Sequence, residues 1–338
     1  MTLVSFAGTH SISTQYTSLK YRNYPTNHFL SVYLSLEDVY SFYAGDLDFR
    51  IGVNALATGN KSSNFQLFQT VHKNRVLVNS LSLDYYPTHQ TLLSVGRQAM
   101  KLNLLQGSLD GLLAVGKFDT FSIQAFYFNR YSVLYPSYYV NNKVEDLYGV
   151  NLHYDKDIFE GELTYFAYDD HTVSDLYVAL HLDAWTLGAE HLFFDSDTLA
   201  DEKAYKAYVG YRSGYFYGEL GVYHVYEGGL SHVFDLGGSE FQSFRLHGFL
   251  NRDNAKNIYT NLQYKQKSFN INLHLGYTEF DDISDPSKSY IGREVGIGMS
   301  KTFDELALSA TLLTQKSDEP LNAGKRTTWV QTQLKYRF

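Results

Sequence analysis

The chain has 338 residues, a formal net charge of -8 and no cysteine. Disulfides, thiolate catalysis and cysteine-ligated metal are therefore excluded, and a general nucleic-acid partner is disfavoured. Aromatic residues dominate, with 30 Tyr and 23 Phe against 2 Trp and 3 Met, and only 5 Pro interrupt the chain. Tyr and Phe favour strands, and Pro cannot sit inside a ladder.

Apolar and polar residues alternate from end to end. The first two strands are expected at 11–23 and 28–40. In the third, 46–58, Leu47, Phe49, Ile51 and Val53 fall on one face and Asp48, Arg50, Gly52 and Asn54 on the other. Successive strand side chains point to opposite faces, so each such segment has one apolar and one wet side. Strands at 74–86, 90–101, 107–117 and 119–130 follow. In 145–155, Tyr148, Val150, Leu152 and Tyr154 oppose Gly149, Asn151 and His153. In 158–169, Phe159, Leu163 and Tyr165 oppose Glu160, Glu162 and Thr164. After 172–182 and 184–195, the strand 203–213 sets Tyr205, Ala207, Val209 and Tyr211 against Lys206, Tyr208, Gly210 and Arg212. Strands at 214–226 and 255–266 lead to the cleanest case, 267–280. There Phe269, Ile271, Leu273, Leu275 and Tyr277 oppose Asn270, Asn272, His274, Gly276 and Thr278. The last three strands are 290–301, 303–315 and 326–338.

Many of these segments reach the ~9–11 residues of a membrane strand, where strands of a soluble sandwich average about 5–6. Full charges at mid-strand suit a wet lumen better than a packed core. The connections sort into two kinds. Short ones lie at 117–119, 155–157, 183, 213–214, 266–268 and 302–303, and longer polar ones near 59–73, 131–144, 196–202, 227–254, 281–289 and 316–325. Their alternation, broken by short links near 24–27 and 170–171, matches the periplasmic turns and extracellular loops of an outer-membrane barrel. The fold expected is all-β: a single transmembrane antiparallel β-barrel over 1–338, of eighteen strands, with sixteen as the alternative. Tyr85, Tyr86, Tyr168, Tyr215, Tyr217, Tyr264, Phe280 and Tyr290 sit near strand ends, where amphipathic rings form girdles at headgroup depth. No apolar run approaches the ~18 residues of a membrane helix. Met1–Phe6 lacks a basic segment followed by an apolar core, so the numbering is expected to begin at a mature chain.

The final residues, Gln333-Leu334-Lys335-Tyr336-Arg337-Phe338, resemble the C-terminal signature of bacterial outer-membrane barrels. That resemblance implies recognition of the last strand by the barrel assembly machinery. A narrower resemblance runs from Leu93-Ser94-Val95-Gly96-Arg97-Gln98 through Leu104-Leu105-Gln106-Gly107-Ser108 and Asp110-Gly111 to Phe126-Tyr127-Phe128-Asn129-Arg130. Upstream, Lys20-Tyr21-Arg22-Asn23-Tyr24 precedes Asp48-Phe49-Arg50-Ile51-Gly52-Val53-Asn54-Ala55-Leu56. This N-terminal third resembles the OprD-type family of Gram-negative porins. The resemblance implies eighteen strands around a narrow channel, inward-folded third and seventh extracellular loops, and a lumenal ladder of basic residues.

The seventh long link, 227–254, is the longest and carries Glu227, His232, Asp235, Glu240, Arg245, His247, Arg252 and Asp253. Of these, Glu227, Asp235, Glu240, Arg245 and Arg252 are the expected constriction residues. The third link, near 102–106, departs from the family, being short and apolar. Arg50, Lys206, Arg212, Lys265 and Lys335 are candidates for the ladder, with Asp48, Glu160, Glu162, Glu219, His274 and Glu294 also lining the pore. Arg97 is assigned to the lining through a bulge at Gly96, because strict alternation sets it on the lipid side, where an Arg at mid-bilayer costs about 2–4 kcal/mol; a position near the rim would also reduce that cost.

Histidines are scattered over different strands, so no nucleophile, base and orienting group come together, and no catalysis is expected. The acidic groups Asp195, Asp197, Asp201, Glu202 and Asp281, Asp282, Asp285 match no calcium-loop template and read as solvated loops. No cofactor is expected. The function expected is passive diffusion of small hydrophilic solutes and ions, with acidic and basic residues on different strands setting up a transverse field. The net charge of -8 points to cation preference. Expected partners are membrane lipid and lipopolysaccharide, the assembly machinery at Phe338, and further copies of the chain, since porins commonly form homotrimers. A barrel hydrolase, a transporter of hydrophobic compounds and a soluble all-β binding protein are the rival readings.

Overall fold

A computed structural model of the protein describes residues 5–20, 26–42, 46–60, 75–102, 105–135, 138–140, 146–228, 254–282, 285–319 and 326–338. The strands in chain order are β1 (Ser5–Lys20), β2 (Asn27–Phe42), β3 (Leu47–Asn60), β4 (Arg75–Thr88), β5 (Thr91–Lys101), β6 (Gln106–Lys117), β7 (Phe121–Tyr135), β8 (Tyr138–Val140), β9 (Leu147–Lys156) and β10 (Phe159–Tyr168). They continue as β11 (His171–Leu182), β12 (Trp185–Ser196), β13 (Glu202–Ser213), β14 (Phe216–Glu227), β15 (Lys256–Lys265), β16 (Phe269–Asp281), β17 (Ser289–Phe303), β18 (Leu306–Ser317) and β19 (Arg326–Arg337).

Apart from the short β8, each strand pairs antiparallel with its neighbours in the wall, and β1 closes the ring against β19 from Ser11↔Arg337 to Lys20↔Thr328. The three-residue β8 pairs with β7 in a separate ladder, and β7 passes on to β9, so eighteen strands make the closed wall. Closure leaves no sheet edge and satisfies the backbone within the wall, as lipid requires. The eighteen-strand expectation is borne out. Two local expectations are corrected. The first strand begins at Ser5 rather than 11, because its register against β2 runs down to Ser5↔Ser41 although alternation is weak in its Ser/Thr-rich start. The link near 131–144 carries a short hairpin, with β7 continuing to Tyr135 and folding back onto β8.

The short turns are made by residues that tolerate positive φ. Asp157, Asp183, Gly214 and Asp304 take φ of 54°, 52°, 55° and 44° between β9 and β10, β11 and β12, β13 and β14, and β17 and β18. Asp and Gly visit this left-handed region because the polar side chain bonds locally or the Cβ is absent.

The register carries one face of each strand continuously around the ring. Outward residues form three zones. Near the short turns lie aromatic contacts: Phe118–Phe121 at 4.5 Å between ring centroids, Tyr154–Phe159 at 5.7 Å, Trp185–Tyr211 at 4.7 Å and Phe216–Tyr264 at 4.8 Å. Exposed Leu112, Leu163, Leu176, Leu220 and Leu312 occupy the middle, and exposed Tyr127, Tyr148, Tyr165 and Tyr205 stand nearer the long links. An apolar band between two aromatic belts is the outer profile of a transmembrane barrel.

Register corrects part of the expected girdle. Tyr85 and Tyr215 are exposed on the outer wall, but Tyr168 is 7% exposed and Phe280 1% exposed in an inner apolar cluster. Tyr290 packs against that cluster, and Tyr217 faces inward opposite Arg212. Position near a strand end fixes height in the membrane; only parity within the ladder fixes the face.

Candidate functional site

The candidate site is the inner wall. On β10 its residues run, from the short turn upward, Glu160, Glu162, Thr164, Phe166 and Tyr168. Neighbouring strands repeat this gradient, with polar groups in the lower and middle parts and apolar groups towards the long links. The apolar part includes Phe128, Phe166 and Phe194, each 0% exposed. Rings so fully covered contribute packing and are not presented to a passing solute.

The polar part is built from hydrogen bonds between strands. On β2–β5, the Arg50 guanidinium lies 3.4 Å from Glu37 and 3.3 Å from Asp84. Asp84, itself 3% exposed, also accepts from the Ser82 and Ser94 hydroxyls. Asp48 stands directly opposite Asp84 in the ladder, and its buried Oδ1 has no hydrogen bond. Like charges placed opposite repel. Arg50 offsets that repulsion.

On β9–β11, Asn151 donates to Glu162 at 2.7 Å and to Thr164 at 2.8 Å, and His153 lies 3.8 Å from Glu162. His181 bonds Glu160 at 3.1 Å and Thr186 at 3.3 Å. The alignment Thr186–His181–Glu160 resembles a nucleophile, a base and an orienter. Thr186 is paired within the β11–β12 and β12–β13 ladders, whose backbone N–H groups serve the sheet and are not free to act as oxyanion donors. On β13, the Lys206 ammonium lies 4.9 Å from the Tyr208 ring centre and 5.7 Å from that of Tyr223, and Glu190 stands opposite Lys206.

From β14 to β18 the bonds form one chain. Glu219 accepts from the Tyr217 hydroxyl at 2.6 Å, the Tyr259 hydroxyl at 2.7 Å and the Asn261 amide at 3.5 Å. Asn261 bonds His274 at 2.6 Å, and His274 meets Glu294 at 3.0 Å. Gln315 then donates to Glu294. Arg212 lies 5.5 Å over the Tyr217 ring. Two tyrosines are accommodated by glycines opposite them, Tyr208 by Gly188 and Tyr259 by Gly221. A Cβ at either glycine would overlap the ring. The rings therefore lie along the wall.

The register places Asp48, Arg50, Glu160, Glu162, Lys206, Arg212, Glu219, Lys265, His274, Glu294 and Lys335 on this inner face. Arg212, Lys265 and Lys335 lie within two residues of the short-turn ends of β13, β15 and β19, and Asp48 and Glu160 within two residues of those of β3 and β10. Base and acid thus face each other across the same mouth.

Arg97 is the exception. The β4–β5 ladder continues through Ser82↔Gly96 and Leu81↔Arg97 without a register shift, so no bulge turns Arg97 inward and it stands with Leu81 and Val95 on the outer face. Its cost there is reduced by a partner that sequence alternation does not reveal. Asp110 stands opposite and bonds the guanidinium through Nε and Nη2, both at 2.5 Å, and the Val78 carbonyl accepts from Nη1 at 3.1 Å. Gly96, at φ 117°, brings the backbone against the Leu81 carbonyl, which leaves no room for a Cβ.

Of the expected constriction residues, Glu227 is exposed and pairs with Lys203 at 2.7 Å. Asp235, Glu240, Arg245 and Arg252, with His232, His247 and Asp253, lie outside the described residues. The acidic links are occupied locally: Asp201 accepts from the Ser196 amide and lies 3.6 Å from Lys203. Lys288 and Ser287 hold the Asp285 carboxyl below the usual carboxylate range. Among the described residues, no group of three or more His, Asp or Glu is arranged to hold a metal ion.

No protein-family model matches the chain, and no curated protein matches it. Among solved structures it is similar to OccAB2 of Acinetobacter baumannii, with a TM-score of 0.80 at 12% identity over 98% of each chain. It is similar to OccAB1 of the same organism, with a TM-score of 0.79 at 10% identity over 98% of this chain and 96% of that one. OccK8 (OprE) of Pseudomonas aeruginosa gives 0.75 at 12% identity over 98% of each chain. These structures are outer-membrane channels of the OprD/Occ type, and at such identities the likeness is one of fold.

Proposed function

We propose that the protein is an outer-membrane porin of a Gram-negative bacterium, through which small hydrophilic solutes and ions diffuse passively down their gradients. The observation that carries this reading is the pairing of two surfaces on one closed wall. The outer surface is apolar between aromatic belts, and the inner one carries a charged, hydrogen-bonded band from Arg50 to Glu294. A wall of about eighteen strands encloses more space than side chains readily fill, which leaves an aqueous path. The fold shared with OccAB2 and OccK8 supports the same reading.

Charge on the wall sets preference. At mid-height Glu162, Glu190, Glu219 and Glu294 outnumber Arg50 and Lys206, so cations are favoured there. At the mouth, the opposed bases and acids orient a dipolar solute before entry. Short turns face the periplasm, lipopolysaccharide surrounds the long-link rim, and Phe338 is the contact for the assembly machinery.

The test is current through a planar bilayer holding the purified protein, with a salt gradient. Stable steps with a reversal potential of cation-selective sign are expected. A correctly folded barrel that never conducts would overturn the proposal, and a reversal of anion-selective sign would overturn the role given to the mid-height acids.

A further inference from the structure

The outer wall between β16 and β1 carries a groove of about 620 Å³. Its floor is a run of small side chains on adjacent strands: Ala310 opposite Thr332 across β18–β19, with Thr14 on β1 beside them. Tyr16 and Met299 wall its upper level, on the same ladder row as Ala310 and Thr332. Strands lie about 4.8 Å apart, so this depression is roughly 10–15 Å wide. Of the residues that line the groove, all but Ser300, Ser309 and Gln333 have outward parity, so the groove opens to the membrane.

Lys301 stands at its foot. It lies opposite Phe269 and near the short turn of β17, in the lower aromatic belt, with its ammonium 4.8 Å from the centre of the Phe303 ring. No carboxylate pairs with it among the described residues. A cation at headgroup depth, below an apolar trough floored by two threonine hydroxyls, combines the three parts of a phospholipid in the order a phospholipid presents them. The ammonium suits the phosphate, the hydroxyls suit the ester carbonyls and the apolar walls suit an acyl chain.

We propose that this groove is a binding site for one anionic diacyl phospholipid of the periplasmic leaflet. The inference rests on the porin reading only for the orientation of the barrel, with its short turns towards the periplasm. A second copy of the chain is the other candidate occupant. A trough whose small-residue floor spans three adjacent strands, with a cation at its foot, favours a diacyl lipid over a second barrel, whose convex wall would bridge it.

The experiment is native mass spectrometry of the detergent-purified barrel titrated with dioleoyl phosphatidylglycerol or dioleoyl phosphatidylcholine. Wild type is expected to hold one phosphatidylglycerol more tightly than phosphatidylcholine. Lys301→Gln should weaken phosphatidylglycerol by about five-fold and abolish the preference. Ala310→Phe should fill the floor and weaken both lipids by about ten-fold, since each excluded methylene costs about 0.8 kcal/mol. Two outcomes overturn the proposal: lipid binding unchanged in both variants, or a lipid-free oligomer of wild type that Ala310→Phe converts to monomer. Bilayer conductance of each variant is recorded in parallel. A variant that conducts like wild type has folded, and failure of the lipid site then stands apart from failure of the porin reading.

Discussion

Tyr259 stands directly opposite Gly221 in the β14–β15 ladder, and its ring occupies the space a Cβ on Gly221 would take. That vacancy holds the ring flat, 1% exposed, with its hydroxyl 2.7 Å from Glu219 and its centre 4.7 Å from that of Tyr223. Gly221→Ala is expected to lift the ring off the wall towards the barrel axis. Single-channel conductance should fall, and stability should drop by about 1–3 kcal/mol, the usual cost of overpacking. Tyr259→Ala on the Gly221→Ala background should restore conductance by removing the obstacle. If the double variant conducts no better than the single one, the ring is not what narrows the path.

Arg97 and Asp110 make a charge pair on the outer wall, with side chains 32% and 26% exposed. Removal of either partner takes from the other the two charged hydrogen bonds they share. Arg97→Leu and Asp110→Leu should each lower stability by roughly 1–2 kcal/mol, a figure kept small by their partial exposure. The double variant should return close to wild type, since two leucines suit the lipid face. Urea unfolding in lipid vesicles, followed by tryptophan fluorescence, measures the cycle. Additive losses would show that the two residues act separately.

Alternation between Phe269 and Tyr277 already separates β16 into an outer and an inner face, because a strand has period two and this segment has no bulge. The same parity places eleven of the twelve expected lining residues on the inner wall, from Asp48 to Lys335. Arg97 failed for a physical reason. Its partner Asp110 lies on the next strand, and a sequence read one strand at a time sees only the cost of the charge and not its neutralisation. The inner network was illegible for the same reason: Glu219 is bonded by Tyr259, 40 positions away. Tyr168 and Phe280 show the converse. Their height near strand ends was legible, but their inner face depended on a ladder parity that strand boundaries alone do not supply.

Phe338 ends the chain with its amide donating to the His10 carbonyl at 3.1 Å and its ring 5.9 Å from His10 and 6.3 Å from Tyr336. These contacts lie at the seam where β19 meets β1, in the lower belt. Deletion of Phe338 removes one backbone bond beyond the end of the β1–β19 ladder, so refolding into detergent should be nearly unchanged. Assembly in cells should fall several-fold if the machinery reads this residue. The amount of heat-modifiable barrel in outer membranes, compared with refolded yield in vitro, separates the two. Equal losses in both would assign Phe338 a structural role at the seam and no recognition role.

Glu219 is held by neutral donors, and its charge therefore remains to act on the lumen. Glu219 is bonded by two tyrosine hydroxyls and an amide, and Glu294 by Gln315 and His274. Glu219→Gln preserves shape; its one amide oxygen accepts from one of the two tyrosine hydroxyls and its amide N–H can donate to the other, so it removes charge with little change in packing. The reversal potential should move towards zero, with conductance for potassium lowered about two-fold or less, since one of several lining charges is lost. Arg50→Gln should do the opposite. It releases Glu37 and Asp84 from their shared cation and leaves them, with Asp48, as uncompensated acids on adjoining strands. Cation selectivity should rise, and stability should fall by about 1–3 kcal/mol because Asp84 loses a charged donor while buried. If both substitutions shift the reversal potential in the same direction, wall charge at these positions does not govern selectivity, and the long links at the extracellular rim become the place to look for it.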